Sequence, residues 1–373
     1  MQILSVGTAL PPHYYDQQEL LAAFRRAWGG QLHNPARLEQ LHRNVLVGGR
    51  HLALPIEEYE NLASFTDSND AFIRCAVDLG ARAMEDGLRL AGLTPGAIDH
   101  LFFVSVTGIA TPSVDARLVN RLKLRPDVKR TPIFGLGCVA GAAGVARTAD
   151  YLRAFSDQVA VLLSVELCSL TLQRRDVSIP NLIASGLFGD GAAAVVMAGL
   201  ERAGAAPLGG PEQASVGAAG GARIGGRAAG GPRVIATRSV FYPDTEYVMG
   251  WEIGSEGFRV VLSADVPDVV ARHIRSDVDG FLADHELSLE EIESFICHPG
   301  GPRVIEALER ALGLPSEAFH LAWKTLRELG NLSSASVLMV LRDTMASRPS
   351  AGSYGLMLAM GPGFCSELIL LRW

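Results

Sequence analysis

Three residues carry the chemistry this sequence suggests first: Cys138 in GLGCVAGAAG, His298 in CHPGGPRVIEAL and Asn331 in GNLSSASVL. Cys138 stands among glycines and alanines, after the apolar run TPIF and before VARTADYLRAF, where a strand is expected to turn into a helix. Unpaired N–H groups and the dipole at a helix N-terminus favour a thiolate, and an imidazole nearby favours it further. Cys138 is therefore expected to have a depressed pKa and to act as a nucleophile. The small residues after it should let an acyl chain lie against the helix. His298 can donate from a ring nitrogen and Asn331 from its amide, which makes the pair an oxyanion hole for an enolate or a tetrahedral oxygen. The Pro-Gly-Gly-Pro after His298 reads as a tight turn with no side chain above it, leaving the imidazole exposed.

Plainer roles stand beside these. A single cysteine in an apolar protein is usually inert filler, and Cys75, Cys168, Cys297 and Cys365 are read that way. His298 could simply cap a strand end, and Asn331 could be a helix N-cap. The glycines at 135, 137, 141 and 144 miss the G-x-G-x-x-G register of a dinucleotide loop, so nicotinamide binding is set aside. The order Cys, His, Asn also occurs in papain-like proteases, but there the cysteine sits in a different local signature.

These residues have to be held by an α/β scaffold. Strand-like runs such as LFFVSV, VAVLLSV, AAAVVM, SFIC and GLMLAM alternate with helical stretches such as DAFIRCAVDLGARAMEDGLRLAG, where apolar residues recur every three or four positions. The chain then divides into residues 1–198, a Gly/Ala-rich surface insertion at 199–232 with no aromatic residue, and residues 233–373. The two long parts resemble each other. LTPGAIDHLFFVS matches LSLEEIESFICHP in pattern, and LGCVAGAAGV matches LGNLSSASVL at nearly the same offset, so Gly137-Cys138 is mirrored by Gly330-Asn331. A duplicated unit packed face to face would bring the two turns together at the centre of the molecule. Asn331 rises above a plain N-cap because of that symmetry.

The 373 residues carry a net charge of -7 and 48% hydrophobic residues, which gives no electrostatic footprint for nucleic acid. Five scattered cysteines form no C-x-x-C pair, so neither a disulfide framework nor a zinc site is expected, and a reducing cytoplasm fits. The N-terminus lacks the regions of a signal peptide, and no run reaches the length of a membrane span, so no stable membrane association is expected.

The motifs quoted above, with LFGDGAAAVV and GPGF, give a sequence that resembles the type III polyketide synthases, the chalcone-synthase-like branch of the thiolase fold. Ketoacyl synthase III enzymes share Cys, His and Asn, but there Gln-Ala-Asn follows the histidine; here Pro299-Gly300-Gly301 follows. The resemblance implies a thiolase-like five-layered αβαβα fold built from two duplicated halves, a homodimer, and a buried site reached by a tunnel for the pantetheine arm of coenzyme A. It implies no cofactor beyond coenzyme A thioesters as substrates, and no metal. Cys138 would carry the acyl chain, while His298 and Asn331 would hold the malonyl thioester carbonyl during loss of carbon dioxide.

The same resemblance makes Phe188 in LFGDG a gating phenylalanine, Val260 the replacement of a second one, and Thr111 the loop residue that reaches into the partner subunit, where plant enzymes have Met. Thr171, Ser333 and Val260 are taken as cavity wall, and Arg43 and Arg50 as candidates for the coenzyme A phosphates. Stretches such as ELCSLTLQRRD resemble the bacterial branch that extends fatty acyl starters, which implies alkylpyrone or alkylresorcinol products. A single-round ketoacyl synthase and a catalytically silent acyl-CoA binding protein are the rival functions.

Overall fold

The computed structural model describes residues 1–28, 30–32, 34–204 and 231–373. The expected insertion at 199–232 therefore falls mostly outside the described residues. The first half runs β1 (Gln2–Ala9), β2 (His13–Asp16), α1 (Gln17–Trp28), α2 (Pro35–Asn44), β3 (Gly49–Leu52), α3 (Phe65–Ala91), β4 (His100–Val104), α4 (Val114–Arg121), β5 (Lys129–Ile133), α5 (Ala140–Ala154), β6 (Val159–Leu167), α6 (Ile179–Leu187), β7 (Asp190–Ala198) and α7 (Leu200–Ala203). The second runs β8 (Arg233–Phe241), β9 (Met249–Gly254), β10 (Gly257–Leu262), α8 (Val266–Ala283), β11 (Ile292–Cys297), α9 (Pro302–Leu312), α10 (His320–Leu329), α11 (Ser334–Ser347), β12 (Tyr354–Gly361) and β13 (Cys365–Arg372).

Strand order exposes the duplication. One nine-stranded sheet has the order β11-β12-β13-β8-β1-β7-β6-β4-β5. In the first half β4 runs parallel to β6, β6 antiparallel to β7, and β7 antiparallel to β1. In the second, β11 runs parallel to β12, β12 antiparallel to β13, and β13 antiparallel to β8. The two sets meet at the short β1–β8 contact, Gln2 opposite Arg233. The first half adds β5 outside β4.

Side-chain alternation along the strands builds the layers, because successive residues point to opposite faces. Leu101, Phe103, Val161 and Leu163 pack outward against α3, whereas Phe102, Val104, Ala160 and Leu162 pack inward. In the second half Leu356, Leu358, Leu368 and Leu370 pack outward with α8 and α9, whereas Met357, Ala359, Ile369 and Leu371 pack inward. The inward faces share one core with α5 and α11. The result is a thiolase-like five-layered αβαβα fold, with α5 and α11 as the middle layer.

That middle layer explains the small residues after Cys138, and it corrects the expectation of an acyl path along α5. A Cβ at Gly141 would stand 2.1 Å from the carbonyl oxygen of Ser334, and one at Gly144 would stand 2.5 Å from Leu162 Cδ1. Glycine and alanine are needed there so that α5 can lie against α11 and the sheet. The same closeness sets Cys138 beside the start of α11.

Candidate active site

Cys138 lies in a single 3-10 turn, Gly137–Val139, that feeds α5. Gly137 takes φ +54, and a Cβ on it would meet Pro362 at 2.6 Å, so this turn accepts only glycine. Asn331 sits at the equivalent place before α11. The Cys138 thiol donates to Ser333 Oγ at 3.7 Å, so Ser333 belongs to the nucleophile's own surroundings and not to the wall of the large cavity.

The amide of Asn331 is held in one orientation. Its Oδ1 accepts the Ser333 N–H at 2.8 Å, an Asx-type turn, and its Nδ2 donates to the Gly300 carbonyl at 3.0 Å. A primary amide has two N–H donors, and the second reaches the Cys138 thiol. Asn331 thereby ties the Cys138–Ser333 pair to the turn that carries His298, and the residues expected to act together converge on one buried place.

Burial changes the expected electrostatics. His298 is 5% exposed, not open at a bare turn, and both of its ring nitrogens lack a hydrogen-bond partner among the described residues. Desolvation lowers its pKa to about 4, so the ring is neutral at pH 7. Desolvation likewise pushes the Cys138 thiol up to about 12, against the hydrogen bonds of Ser333 and Asn331 that pull it down and with the nearby Glu166 that adds to the rise. Burial therefore acts against the depressed thiol pKa expected from the helix N-terminus, since loss of water is the largest influence on this thiol. In the resting site both the thiol and the imidazole are neutral.

Glu166 went unnoticed in the sequence. It is an acid inside the otherwise apolar strand VAVLLSVEL, and that interruption was the available signal. Its carboxyl accepts from the Val106 N–H at 3.1 Å, Thr107 Oγ1 at 3.0 Å and Ser334 Oγ. Full burial lifts its pKa to about 7.

A cavity of about 160 Å³ lies next to this centre, and Phe188, Thr171 and Val260 all line it. Leu20, Phe24 and Trp28 of α1 also line it. Trp251, not singled out from the sequence, pairs with Val260 across the β9–β10 hairpin and sets its ring 6.3 Å from that of Phe188. Thr111 is exposed and lines no part of this cavity. Arg43 pairs with Glu39 at 2.9 Å on the surface. Arg50 is 2% exposed and bonded to backbone carbonyls, so it is not a surface residue for phosphates. Among the described residues no three His, Cys, Asp or Glu side chains gather as a metal site.

Comparison with known proteins decides the family. Residues 1–200 match the model of the N-terminal domain of chalcone and stilbene synthases, and residues 233–373 match the model of the C-terminal domain. The chain belongs to the chalcone and stilbene synthase family. A 1,3,6,8-tetrahydroxynaphthalene synthase of Streptomyces peucetius subsp. caesius is 49% identical over 100% of this chain and 93% of its own. A putative chalcone synthase of Bacillus subtilis (strain 168) is 36% identical, over 100% and 98%. The crystal structure of 1,3,6,8-tetrahydroxynaphthalene synthase from Streptomyces coelicolor A3(2), a bacterial type III polyketide synthase, superposes with a TM-score of 0.88 at 28% identity, covering 100% of this chain and 99% of that one. As a family member this chain is a type III polyketide synthase, an acyltransferase that condenses coenzyme A thioesters.

Proposed function

We propose that the chain loads a fatty acyl-CoA starter on Cys138, extends it with malonyl-CoA by decarboxylative condensation, and releases it by cyclisation as an alkylpyrone or alkylresorcinol. The observation that carries this starter class is the cavity beside Phe188, walled by Leu20, Phe24, Trp28, Leu170, Trp251 and Val260. Its space of about 160 Å³ admits part of an alkyl chain, whose methylenes are favoured against such walls by about 0.8 kcal/mol each.

Cys138 Sγ attacks the starter thioester carbonyl, its proton passes to His298, and the coenzyme A thiolate leaves with that proton. The malonyl thioester oxygen then lies between the second N–H of Asn331, the one not used on Gly300, and a ring N–H of His298. Loss of carbon dioxide leaves an enolate facing two donors already in place, and its carbon attacks the acyl group on Cys138, expelling the thiolate. Coenzyme A thioesters are the only small molecules these steps need, with no further cofactor. The assembly we propose is a homodimer joined near Thr111: Ile109 and Phe134, in the loops after the paired strands β4 and β5, are 43% and 50% exposed, apolar side chains suited to being covered. Five free cysteines suit a cytoplasmic setting, and the net charge of -7 leaves nucleic acid out.

A second starter class has its own support, since the 49% identical relative is named for tetrahydroxynaphthalene. One experiment separates the two. The protein is given labelled malonyl-CoA alone or with acyl-CoAs of graded length, and the products are read by mass spectrometry. Alkylpyrones or alkylresorcinols that appear only with long acyl-CoA support the fatty starter; an aromatic product from malonyl-CoA alone overturns it.

A further inference from the structure

Arg50 ranks among the largest fully buried side chains in the molecule, and it lines the cavity without an ion-pair partner among the described residues. A buried guanidinium is costly unless its donors are used. Here a single nitrogen, Nη1, donates to the carbonyls of Ser185 at 2.7 Å and Phe188 at 2.9 Å. Those carbonyls close the C-terminal end of α6, where unpaired backbone oxygens and the helix dipole attract a cation. Phe188 is the cap residue of that helix.

The segment so held is joined directly to the catalytic amide's backbone. The Asn331 N–H donates to the Leu187 carbonyl at 2.9 Å, and the Gly189 N–H donates to the Asn331 carbonyl at 3.0 Å, so Leu187-Phe188-Gly189 and Asn331 form one bridge. The Arg50 stem also lies close to that bridge. A Cβ at Gly330 would come within 3.1 Å of Arg50 Cδ and 2.6 Å of the Leu187 carbonyl oxygen, and Gly330 takes φ +72. Arg50 thus touches both the gate residue and the residue before Asn331.

We infer that Arg50 is a positioning residue that fixes the Phe188–Asn331 bridge, so that one side chain sets both the aim of the Asn331 donor and the width of the cavity mouth. Displacing a catalytic donor by about 1 Å costs on the order of 100-fold in rate. Because both bonds come from one nitrogen, a lysine ammonium with its three donors can replace them, whereas methionine cannot.

The inference rests on Asn331 acting as a donor in decarboxylation, so Asn331→Ala is measured beside it. For the full-length protein, carbon dioxide release from malonyl-CoA, alkylation of Cys138 by iodoacetamide and the thermal midpoint are read for Arg50→Met and Arg50→Lys; Arg50→Gln replaces Arg50→Met if the latter does not fold. The expected result is a ten- to hundredfold fall in kcat for decarboxylation in Arg50→Met with KM changed far less, Cys138 alkylation near the parent rate, a shifted product length, and recovery of most of the rate in Arg50→Lys. A loss shared equally by decarboxylation and alkylation, or no loss, overturns the role of Arg50. If Asn331→Ala itself decarboxylates like the parent, the donor assignment fails instead.

Discussion

Replacing Asn331 by aspartate tests the geometry of the site most sharply, since the change alters hydrogen-bonding sense with almost no change of shape. In the parent, Nδ2 donates to the Gly300 carbonyl at 3.0 Å and leaves one N–H for the substrate oxygen. Aspartate puts an oxygen in both roles. Losing one preorganised donor costs about 10²–10³ in kcat, or about 2.7–4 kcal/mol. The new oxygen also faces the Gly300 carbonyl with no proton between them, inside a residue site only 2% exposed, which adds roughly 1–3 kcal/mol against the folded state. Asn331→Asp is therefore expected to release carbon dioxide from malonyl-CoA at least a hundredfold more slowly, and to melt below the parent. Asn331→Ala should show the loss of the donor without the added repulsion. Decarboxylation by Asn331→Asp within a few fold of the parent would refute the placing of this amide as an enolate donor.

Further outcomes follow from particular contacts. Glu166 keeps its proton up to about pH 7 when folded but ionises near 4.5 when unfolded, so the stability it contributes is whole below the lower value and is lost as pH rises through the higher. Denaturant titrations of the parent should show a decline from this residue of roughly 3 kcal/mol between pH 4.5 and 8, and Glu166→Gln should flatten it; an unchanged slope would contradict the burial assigned to this carboxyl. Gly141→Ala drives a methyl to 2.1 Å from the Ser334 carbonyl, so calorimetry should find a lowered melting temperature, with overpacking of about 1–3 kcal/mol or more, together with slower condensation because Cys138 and Ser333 move apart. Val260→Phe fills the cavity opposite Trp251 and should shorten the longest acyl-CoA accepted, read from the product mixture by mass spectrometry; unchanged chain lengths would remove Val260 from the wall.

The duplicated halves were legible because they leave matching residues at matching places: Gly137-Cys138 and Gly330-Asn331 stand at equivalent turns, and the paired strand orders repeat. Phe188, Thr171 and Val260 could be placed in one cavity because their motifs are local and distinctive. What local pattern does not carry is depth. His298 looked exposed because its turn holds only Pro and Gly, but the parts of the chain that cover it are remote in sequence. Cys138 looked acidic for the same reason, since a helix N-terminus is visible in sequence whereas the loss of water around it is not. Arg50 looked like a surface cation because arginine is seldom buried, and its partners lie on α6, far along the chain. The small residues of α5 were visible, but their cause, the approach of α11, was not.

The central claim is that Cys138 carries the growing chain. Intact-protein mass spectrometry after brief exposure to a long-chain acyl-CoA, followed by peptide mapping, tests it directly. The expected result is one acyl group per chain on the Cys138 peptide, absent in Cys138→Ala, retained in Cys168→Ala and discharged when malonyl-CoA is added. An acyl group found on another residue, or one that persists undiminished in the presence of malonyl-CoA, would contradict it.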